Sequence, residues 1–356
     1  MALDSYVTLG RSGLRVSPFC LGAMNFGDGA GFSADVAESE RILRAYLDRG
    51  GNFVDTAHFY TNGHSEKILG DFFAGGARDR VVLATKFFGN LHLGDPNGGG
   101  AGRKAVIDQL EASLRRLRTD YVDLYWLHNH DWTTPVEETL RTLDDLVTAG
   151  KVRYVGFSNT PAWFTAQAHT IALLRGWTPV TALQVEYSLL ARTVEGELVP
   201  LARDAGMAVL PWSPLHSGFL SGKYTRDARP SDARRHAALG TPTEAQYAVI
   251  DAVARVARDT GATSSAVALA WLLARPAVTS VIVGPRRLDH LVDNLTGLAV
   301  ALTPAQLAAL DEVSAPALNY PADLNRSVGA MLMYAGATVD GSKSAVYPPL
   351  LDDVRY

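Results

Sequence analysis

Short apolar runs alternate with amphipathic helical patterns along most of this 356-residue chain. The apolar runs are rich in β-branched and aromatic residues. From about residue 16 onward each is followed by a helical pattern of roughly 10 to 18 residues, which is typical of βαβ units in a parallel sheet. Several runs are almost continuously apolar, as expected for strands that helices cover on both faces. The pattern predicts eight strands, at Val16–Met24, Asn52–Thr56, Val81–Lys86, Val122–His128, Val152–Ser158, Ala182–Tyr187, Ala208–Ser213 and Val278–Gly284.

Eight strand–helix units in one chain favour a closed (β/α)8 barrel of the TIM type in the α/β class. The alternation also fits a doubly wound open sheet, but no linker rich in Pro, Gly or Ser divides the units into two halves. We therefore expect one domain over residues 1–356. Its barrel core would span about residues 16–313, and a tail of extra C-terminal helices with a weak pattern would span 314–356.

Local signals support these elements. A helix is predicted to begin at Thr134-Pro135 and to end near Gly150, with two glutamates in its first turn, where the helix dipole favours negative charge. Ahead of the first strand, the segment from Tyr6 to Val16 has the pattern of a β-hairpin. In a barrel this hairpin would close the bottom.

Two longer segments interrupt the alternation, Gly89–Arg103 and Leu215–Pro242. The first is rich in Gly and Asn, and the second is polar and basic. Both follow strand ends, which in a barrel form the active-site face, so we expect lids and substrate loops there. Surface insertions without a functional role would give the same pattern.

Composition narrows the class of protein. A content of 47% hydrophobic and 20% charged residues is ordinary for a globular protein. Cys20 is the single cysteine, which excludes internal disulfides and thiolate zinc sites and fits a reducing cytoplasm. The net charge of -4 comes without a block of like charge, so we expect no nucleic-acid partner. The start lacks a signal-peptide pattern and no apolar run reaches roughly 18 residues, so we expect a cytoplasmic protein without a membrane partner.

Four polar residues stand where catalytic groups of a barrel belong, at the carboxyl ends of strands. Asp55 ends the second predicted strand and Tyr60 follows in the next turn, while Lys86 ends the third strand and His128 the fourth. Lys86 is one of six lysines and the one that ends an apolar strand, so its buried ammonium needs a carboxylate, which Asp55 can supply. Each residue alone has an ordinary explanation as a helix cap, a paired ion or a core histidine. Their occurrence on successive strands favours a site.

The chemistry of this set suits carbonyl reduction. A cation beside a phenol lowers its pKa from about 10, so Tyr60 is expected to exchange a proton near neutral pH. Hydride delivery to a carbonyl carbon develops an alkoxide that must be protonated. His128 is placed to orient or polarise that oxygen.

The segment GNFVDTAHFY at residues 51–60, followed by Gly63, Ser65, Glu66, Leu69 and Gly70, resembles the aldo-keto reductase signature around its catalytic Asp and Tyr. Lys86 in ATKF and His128 in VDLYWLHNHD match the other two catalytic positions of the family. The resemblance runs from about residue 6 to 313. It implies that Tyr60 is the general acid, that Lys86 and Asp55 tune it, and that His128 places the carbonyl.

Two other dinucleotide-binding patterns fit poorly. The run GDGAG at residues 27–31 follows a strand and imitates a Rossmann fingerprint, but the third glycine would fall on Phe32 or Ala34. No tyrosine has a lysine four residues later, as a short-chain dehydrogenase would require. We therefore interpret Asn25–Gly31 as an active-site loop.

The resemblance implies instead that NADPH, rather than NADH, lies across the barrel mouth. Ser158, Asn159 and Gln184 would bind the nicotinamide amide, and Trp212 would stack on the ring unless it is a core residue. Small residues after Trp212 would expose backbone amides to the pyrophosphate. The full set of implied cofactor positions is Gly22, Ala23, Met24, Asp55, Ser158, Asn159, Gln184, Trp212, Ser213, Pro214, Leu215, Ser217, Gly218, Lys223, Arg234, Gly284, Arg286, His290, Asp293 and Asn294.

The chain departs from the family at the adenosine end. Many members have Lys-Ser where this sequence has Gly284-Pro285. Phosphate recognition would then rest on Arg286, Lys223 and one of two arginines at positions 234 and 235, because the forked donors of arginine suit a phosphate.

Other functions remain open. The same fold could act as an alcohol or sugar dehydrogenase in the oxidative direction, or as a non-enzymatic NADPH-binding redox-sensing subunit like the potassium-channel β-subunits, although a sensing subunit can dispense with His128. A metal-dependent hydrolase using His128 and His130 would lack further ligands, so no metal is expected. The pattern leaves the physiological substrate and a possible homo-oligomer undecided. The predicted substrate pocket is lined by Met24, Tyr60, Phe87, Phe88, Asn129, His130 and Trp132.

Overall fold

A computed structural model describes residues 1–27, 33–227 and 240–351 of the chain. Eight strands form one parallel sheet, in which each strand pairs with the next along the chain and the last pairs with the first. The strands are β1 (Phe19–Gly22), β2 (Phe53–Asp55), β3 (Val82–Phe87), β4 (Val122–Leu127), β5 (Val152–Ser158), β6 (Val180–Glu186), β7 (Ala208–Trp212) and β8 (Val281–Val283).

Val209 of β7 brings the two edges of this sheet together. Its N–H donates to the carbonyl of Ala277 and its carbonyl accepts from the N–H of Thr279, both over 2.9 Å. The chain just before β8 therefore pairs with β7, and the predicted (β/α)8 barrel is confirmed.

Helices follow the strands and cover the barrel. They are α1 (Val36–Leu47), α2 (His64–Phe73), α3 (Arg103–Leu117), α4 (Val136–Thr148), α5 (Ala162–Arg175), α6 (Leu198–Ala205), α7 (Glu244–Thr260), α8 (Ser264–Leu273), α9 (Leu288–Thr296) and α10 (Pro304–Val313). Four of these helices begin with a side-chain cap, from Asp35, Thr243, Thr263 and Thr303, and Thr243 and Thr303 form capping boxes with a glutamine three residues later. None of the helices in the described residues is both long and apolar enough to cross a membrane.

Strand bounds differ from prediction mainly at the first strand. The predicted run Val16–Met24 covers two elements, because Arg15–Val16 pairs with Val7–Thr8 in the N-terminal hairpin and only Phe19–Gly22 belongs to the barrel. The apolar pattern cannot reveal where the hairpin strand ends and the barrel strand begins, because residues of both strands are buried. Between the two strands, the N–H of Ser17 donates to the side chain of Asn52 and not to a strand backbone.

Alternate strand residues fill the barrel interior. Leu9 and Val16 of the hairpin are fully buried in the same apolar cluster, so the hairpin closes the bottom of the barrel as expected. Trp126 of β4 is the largest interior side chain, and Gly156 of β5 makes room for it: a Cβ at Gly156 would lie 2.3 Å from the indole ring. The strand residues in this cluster are Cys20, Phe53, Val82, Ala84, Leu124, Trp126, Ala182, Ala208, Leu210 and Ile282.

The tail after α10 contains one continuous helical segment over residues 322–334. The α-helical turns Ala322–Leu324 and Ala330–Tyr334 are joined by the π-helical stretch Asn325–Gly329. A small hairpin then pairs Thr338–Val339 with Ser342–Lys343. Extra C-terminal helices were expected, and this segment of irregular helix is what the described part of the tail contains. Many of the tail's large apolar side chains are exposed.

Candidate active site

The parallel register gathers the predicted catalytic residues at one end of the barrel. Asp55 stands two residues after the interior residue Phe53, and Lys86 stands two residues after Ala84. His128 likewise follows Trp126 by two residues. Because strand side chains alternate with a period of two, all three continue the inward-facing rows beyond the apolar filling. They form a polar layer at the carboxyl ends of the strands.

Lys86 is the centre of this layer. Its ammonium donates to Asp55 Oδ2 over 2.5 Å, to the carbonyl of Thr56 over 2.8 Å and to Tyr60 Oη over 3.1 Å. These contacts use all three donors of the group, whose side chain has no exposure to solvent. Burial opposes the charge, but the nearby Asp55 and Tyr60 outweigh burial and raise the pKa of Lys86. Gln184 holds the second carboxylate oxygen of Asp55 by an amide hydrogen bond of 3.1 Å.

Tyr60 differs from the expectation in the direction of its pKa. Burial raises the pKa of Tyr60 above the ordinary value, and the Lys86 ammonium offsets only part of that effect. The expected lowering was wrong, because the sequence reveals the neighbouring cation but not the depth of burial. Tyr60 is therefore a protonated phenol at neutral pH, the state from which a phenol can donate a proton.

His128 lies beside Tyr60 at the barrel mouth. Their rings meet edge to face with centroids 5.8 Å apart, and the ring of Phe59 packs against His128 at 5.1 Å. Burial lowers the pKa of His128 to about 2, and the neighbouring Lys86 ammonium and His58 imidazole contribute to the lowering. The imidazole is consequently neutral, and one of its nitrogens can donate a hydrogen bond. Phe59 was not predicted, although an aromatic residue directly before Tyr60 could have suggested it.

Several predicted pocket residues surround this mouth. Met24 and Trp132 are 56% and 82% exposed, Asn129 is exposed, and Phe88 is partly buried with a positive φ of 129°. The His130 ring faces α5, since it packs against the ring of Phe164 with centroids 4.5 Å apart. The exposed aromatic and apolar groups can contact a substrate.

Phe87 is a correction to the predicted pocket. Its side chain is fully buried and its ring packs against Tyr125 with centroids 4.7 Å apart. Lys86 points into the barrel, so the next residue on β3 points outward to the helix layer. Phe87 is therefore a core residue and does not line the barrel mouth.

The positions implied for nicotinamide binding lie at the carboxyl-terminal ends of β5, β6 and β7, where Ser158 and Trp212 are the last residues of their strands. The Asn159 amide donates to the carbonyl of His128 over 3.0 Å and its oxygen accepts from the Trp212 indole over 3.1 Å. The Gln184 amide donates to the Asp55 carboxylate. The Ser158 hydroxyl is buried and has no hydrogen-bond partner among the described residues. A buried hydroxyl without a partner is unusual, so this atom is a candidate for a hydrogen bond to a ligand.

The chain after β1 and after β7 also lies at the mouth. Gly22 ends β1, and the N–H of the buried Ala23 donates to the carbonyl of Asp55 over 2.8 Å. After β7, the turn that includes Pro214 and Leu215 has positive φ at four positions, namely Ser213, His216, Ser217 and Gly218. Left-handed non-glycine residues cost free energy and cluster at functional sites.

A group of cations lies beside the chain that follows β8. Burial lowers the pKa of His290, the positive charges of Lys223, Arg287 and Arg286 lower it further, and the carboxylate of Asp289 opposes this lowering. Asn294 is buried nearby on α9, one residue after the partly buried Asp293. The carbonyl of Gly284 accepts from the Asn25 side chain over 2.8 Å, which ties the loops after β1 and β8 together.

Some predicted features lie outside the described residues. They are Arg234 and Arg235, much of the Leu215–Pro242 loop, and residues 28–31 of the glycine-rich loop.

A closed barrel with a buried lysine and aspartate and a partly buried tyrosine at its carboxyl end defines a class of protein that the sequence comparisons identify. Residues 18–315 match the model of the aldo/keto reductase family, and the chain belongs to that family. It is accordingly an oxidoreductase that acts on CH–OH and C=O groups.

Three relatives illustrate the range of the family. The chain is 37% identical to an uncharacterized oxidoreductase, YrpG, of Bacillus subtilis, over 86% of this chain and 95% of that protein. It is 34% identical to an aryl-alcohol dehydrogenase (NADP(+)) of Phanerodontia chrysosporium, over 84% and 83% of the two chains. It is 35% identical to a probable voltage-gated potassium channel subunit beta of Oryza sativa subsp. japonica, over 86% and 96%.

Proposed function

We propose that this protein reduces an aldehyde or ketone to an alcohol with NADPH, and that Tyr60 is the general acid. The observation that carries the proposal is the Lys86 ammonium, which contacts Asp55 and Tyr60 at the same time inside the barrel mouth. A neutral His128 lies against the Tyr60 ring. This arrangement combines a proton donor, a cation that stabilises its conjugate base, and a hydrogen-bond donor for the carbonyl oxygen.

The residues at the mouth fit a nicotinamide dinucleotide. Ser158 offers an unpartnered buried hydroxyl to the carboxamide, and Asn159 and Gln184 flank it. Trp212 would support the ring, the backbone at 213–218 would face the pyrophosphate, and the cations around His290 would hold a phosphate. When bound, the nicotinamide supplies the hydride that reduces the carbonyl carbon.

Each catalytic side chain then has a defined task. Tyr60 donates its proton to the carbonyl oxygen as negative charge develops there. The Lys86 ammonium stabilises the phenolate that remains, and Asp55 keeps Lys86 charged despite its burial. His128 donates a hydrogen bond that orients the same oxygen. A neutral imidazole can donate this bond without placing a second positive charge beside Lys86.

Preference for NADPH over NADH is part of the proposal. Lys223 and Arg286 contribute to the positive cluster at His290, and a cluster of this sign favours the additional phosphate of NADPH. The relative from Phanerodontia chrysosporium carries NADP(+) in its name. Arg286→Ala should raise the KM for NADPH about tenfold, as expected for a lost charge-assisted hydrogen bond, with little change for NADH. Lys104→Ala, which removes an exposed cation far from β8, is the control.

Aromatic carbonyl compounds are the first substrates to test. Trp132, Met24 and Phe59 present exposed apolar surface at the mouth, and one relative is named an aryl-alcohol dehydrogenase. The assay follows the oxidation of NADPH with a panel of aromatic and aliphatic aldehydes and ketones, and the reduction of NADP+ with the corresponding alcohols. Tyr60→Phe should abolish turnover in both directions, whereas Tyr320→Phe, which changes an exposed tail residue, should leave turnover intact.

The alternatives predict different results in the same assay. Turnover of alcohols alone would favour a dehydrogenase that works in the oxidative direction. Tight NADPH binding without turnover of any compound would contradict the reductase proposal. It would favour a non-enzymatic NADPH-binding subunit, and the rice relative is named a probable voltage-gated potassium channel subunit beta.

A further inference from the structure

The short segment that carries Tyr60 has a strained backbone. The three residues after Tyr60 all have positive φ, at 47° for Thr61, 56° for Asn62 and 87° for Gly63. Left-handed conformations of non-glycine residues cost free energy and persist only where surrounding contacts enforce them. The position of Tyr60 therefore depends on what holds this segment in place.

Arg116 of α3 holds the segment on both sides of Tyr60. Before the tyrosine, its guanidinium donates to the carbonyl of His58 over 3.5 Å. After the tyrosine, its stem packs on Gly63 so closely that a Cβ there would lie 2.9 Å from Arg116 Cδ. The guanidinium Nε donates to Glu66 Oε2 over 2.7 Å, and Glu66 is fully buried in the first turn of α2.

Glu66 joins this arginine to the strand that carries Lys86. Its other oxygen accepts from the Thr85 hydroxyl over 2.6 Å, and Thr85 directly precedes Lys86 on β3. The His58 ring also contacts the carbonyl of Lys86, with a distance of 2.9 Å from Nδ1. Hydrogen bonds through Glu66 and His58 thus connect the Tyr60 segment to the strand of Lys86, and none of them involves the Tyr60 phenol or the Lys86 ammonium.

We propose that Arg116 and Glu66 are a positioning pair that sets the distance between the Tyr60 phenol and the Lys86 ammonium, and so the rate of proton donation. Neither residue touches the reacting atoms. The buried Glu66 carboxylate requires a charged partner, so the pair resists separation and can hold a strained turn. The inference rests on the proposed reductase function, but it concerns residues outside the catalytic set.

The kinetic test compares Arg116→Ala with Arg116→Lys, Glu66→Gln and the control Arg118→Ala. Arg118 is two residues further along the chain and pairs with Asp71 at the surface, so its loss should change kcat by less than about twofold. Arg116→Ala should lower kcat about 100-fold, the effect of a displacement of about 1 Å in a catalytic group. The KM for NADPH should stay unchanged because the pair lies away from the proposed cofactor positions.

The conservative variants separate positioning from a general loss of structure. Arg116→Lys keeps a cation for Glu66 and should recover part of kcat, whereas Glu66→Gln leaves Arg116 without its carboxylate and should resemble Arg116→Ala. An Arg116→Ala enzyme with the kcat of the Arg118→Ala control would overturn the proposal. So would a loss of kcat that Arg116→Lys does not relieve.

Hydrogen–deuterium exchange tests the same proposal without activity. In Arg116→Ala, exchange should accelerate in the peptide that covers residues 56–66 and stay unchanged in the strands on the far side of the barrel. Uniform acceleration would show a purely structural role. If the wild-type protein reduces no carbonyl compound, the proposed function fails, and the exchange pattern alone decides whether Arg116 and Glu66 hold the segment.

Discussion

Lys86 and Asp55 form an ion pair inside the barrel mouth, with 2.5 Å between Nζ and Oδ2 and almost no exposure of either side chain. A pair this deeply buried is costly to break from one side, because the remaining charge stays in a site that water does not reach. Loss of either partner is therefore expected to lower the stability of the barrel as well as the activity of the site.

Asp55→Asn should destabilise the protein by about 3–5 kcal/mol and abolish turnover, because the Lys86 ammonium loses the partner that offsets its burial. Denaturant unfolding measures the first effect and the carbonyl assay the second. Asp71→Asn removes the shared partner of Lys67 and Arg118 in two exposed pairs and should cost less than about 1 kcal/mol. An equal loss of unfolding free energy in the two variants would show that burial does not make the Asp55–Lys86 pair more costly to break than an exposed pair.

The pH dependence of stability should report on His128. Its pKa falls from an unfolded value of about 6.5 to about 2 in the folded protein, so the folded state keeps it neutral while the unfolded state binds a proton. The stability contributed by the neutral form is complete above pH about 6.5 and is lost as the pH falls towards 2, by up to about 1.4 kcal/mol per pH unit.

His128→Gln should therefore lose less stability than the wild type between pH 6.5 and 4. Unfolding in urea at a series of pH values measures the difference. Parallel pH profiles for the two proteins would contradict the assigned shift.

The pH dependence of reduction should differ from that of an enzyme with an activated phenolate. Because burial raises the pKa of Tyr60, the phenol stays protonated through neutral pH, and kcat/KM should decline only on the alkaline side of about pH 10. A decline that begins near pH 7 would indicate the lowered pKa expected from the charge of Lys86 alone. The comparison is made with saturating NADPH and a single aldehyde.

Gly156→Ala should destabilise the barrel by roughly 1–3 kcal/mol or more, because the new methyl group would overlap the Trp126 ring. Adding Trp126→Phe should recover part of the loss by removing the ring atoms that clash. Gly13→Ala is the matched control, since nothing lies within 4 Å of its added methyl group and its φ is not positive. Thermal unfolding of the wild type, the two single variants and the double variant measures these differences.

Trp132 and Phe87 should respond differently to substitution. Trp132→Ala removes an exposed aromatic surface at the mouth and should raise the KM for aromatic carbonyl compounds about tenfold with little change in stability. Phe87→Leu reduces a buried core ring and should lower stability without altering substrate preference. A change of preference in Phe87→Leu would return this residue to the pocket.

Much of the site could be predicted from the sequence because it depends on strand position. Asp55, Lys86 and His128 end apolar strands, and parallel strands bring their carboxyl ends to one edge. The same period of two would have excluded Phe87, since its neighbour Lys86 has to face inward. The prediction of Phe87 followed residue type and overlooked this alternation.

Contacts between distant elements could not be predicted. Arg116 lies on α3, and nothing in its local pattern distinguishes it from the arginines beside it in the sequence. Its contacts with Glu66, His58 and Gly63 arise because α2 and α3 pack next to each other on the barrel. That the domain comprises the entire chain, and that the cofactor is NADPH, stay predictions.

The sequence by itself determined which polar residues end the strands, because the alternation of apolar and polar positions is a local property of the chain. Only the tertiary structure decided how deeply each group is buried, and burial set the direction of the Tyr60 pKa against the expectation from charge alone. The free energy of a charge depends on everything that replaces water around it. Residues far apart in the chain supply those surroundings, so the fold must form before the chemistry of Tyr60 is defined.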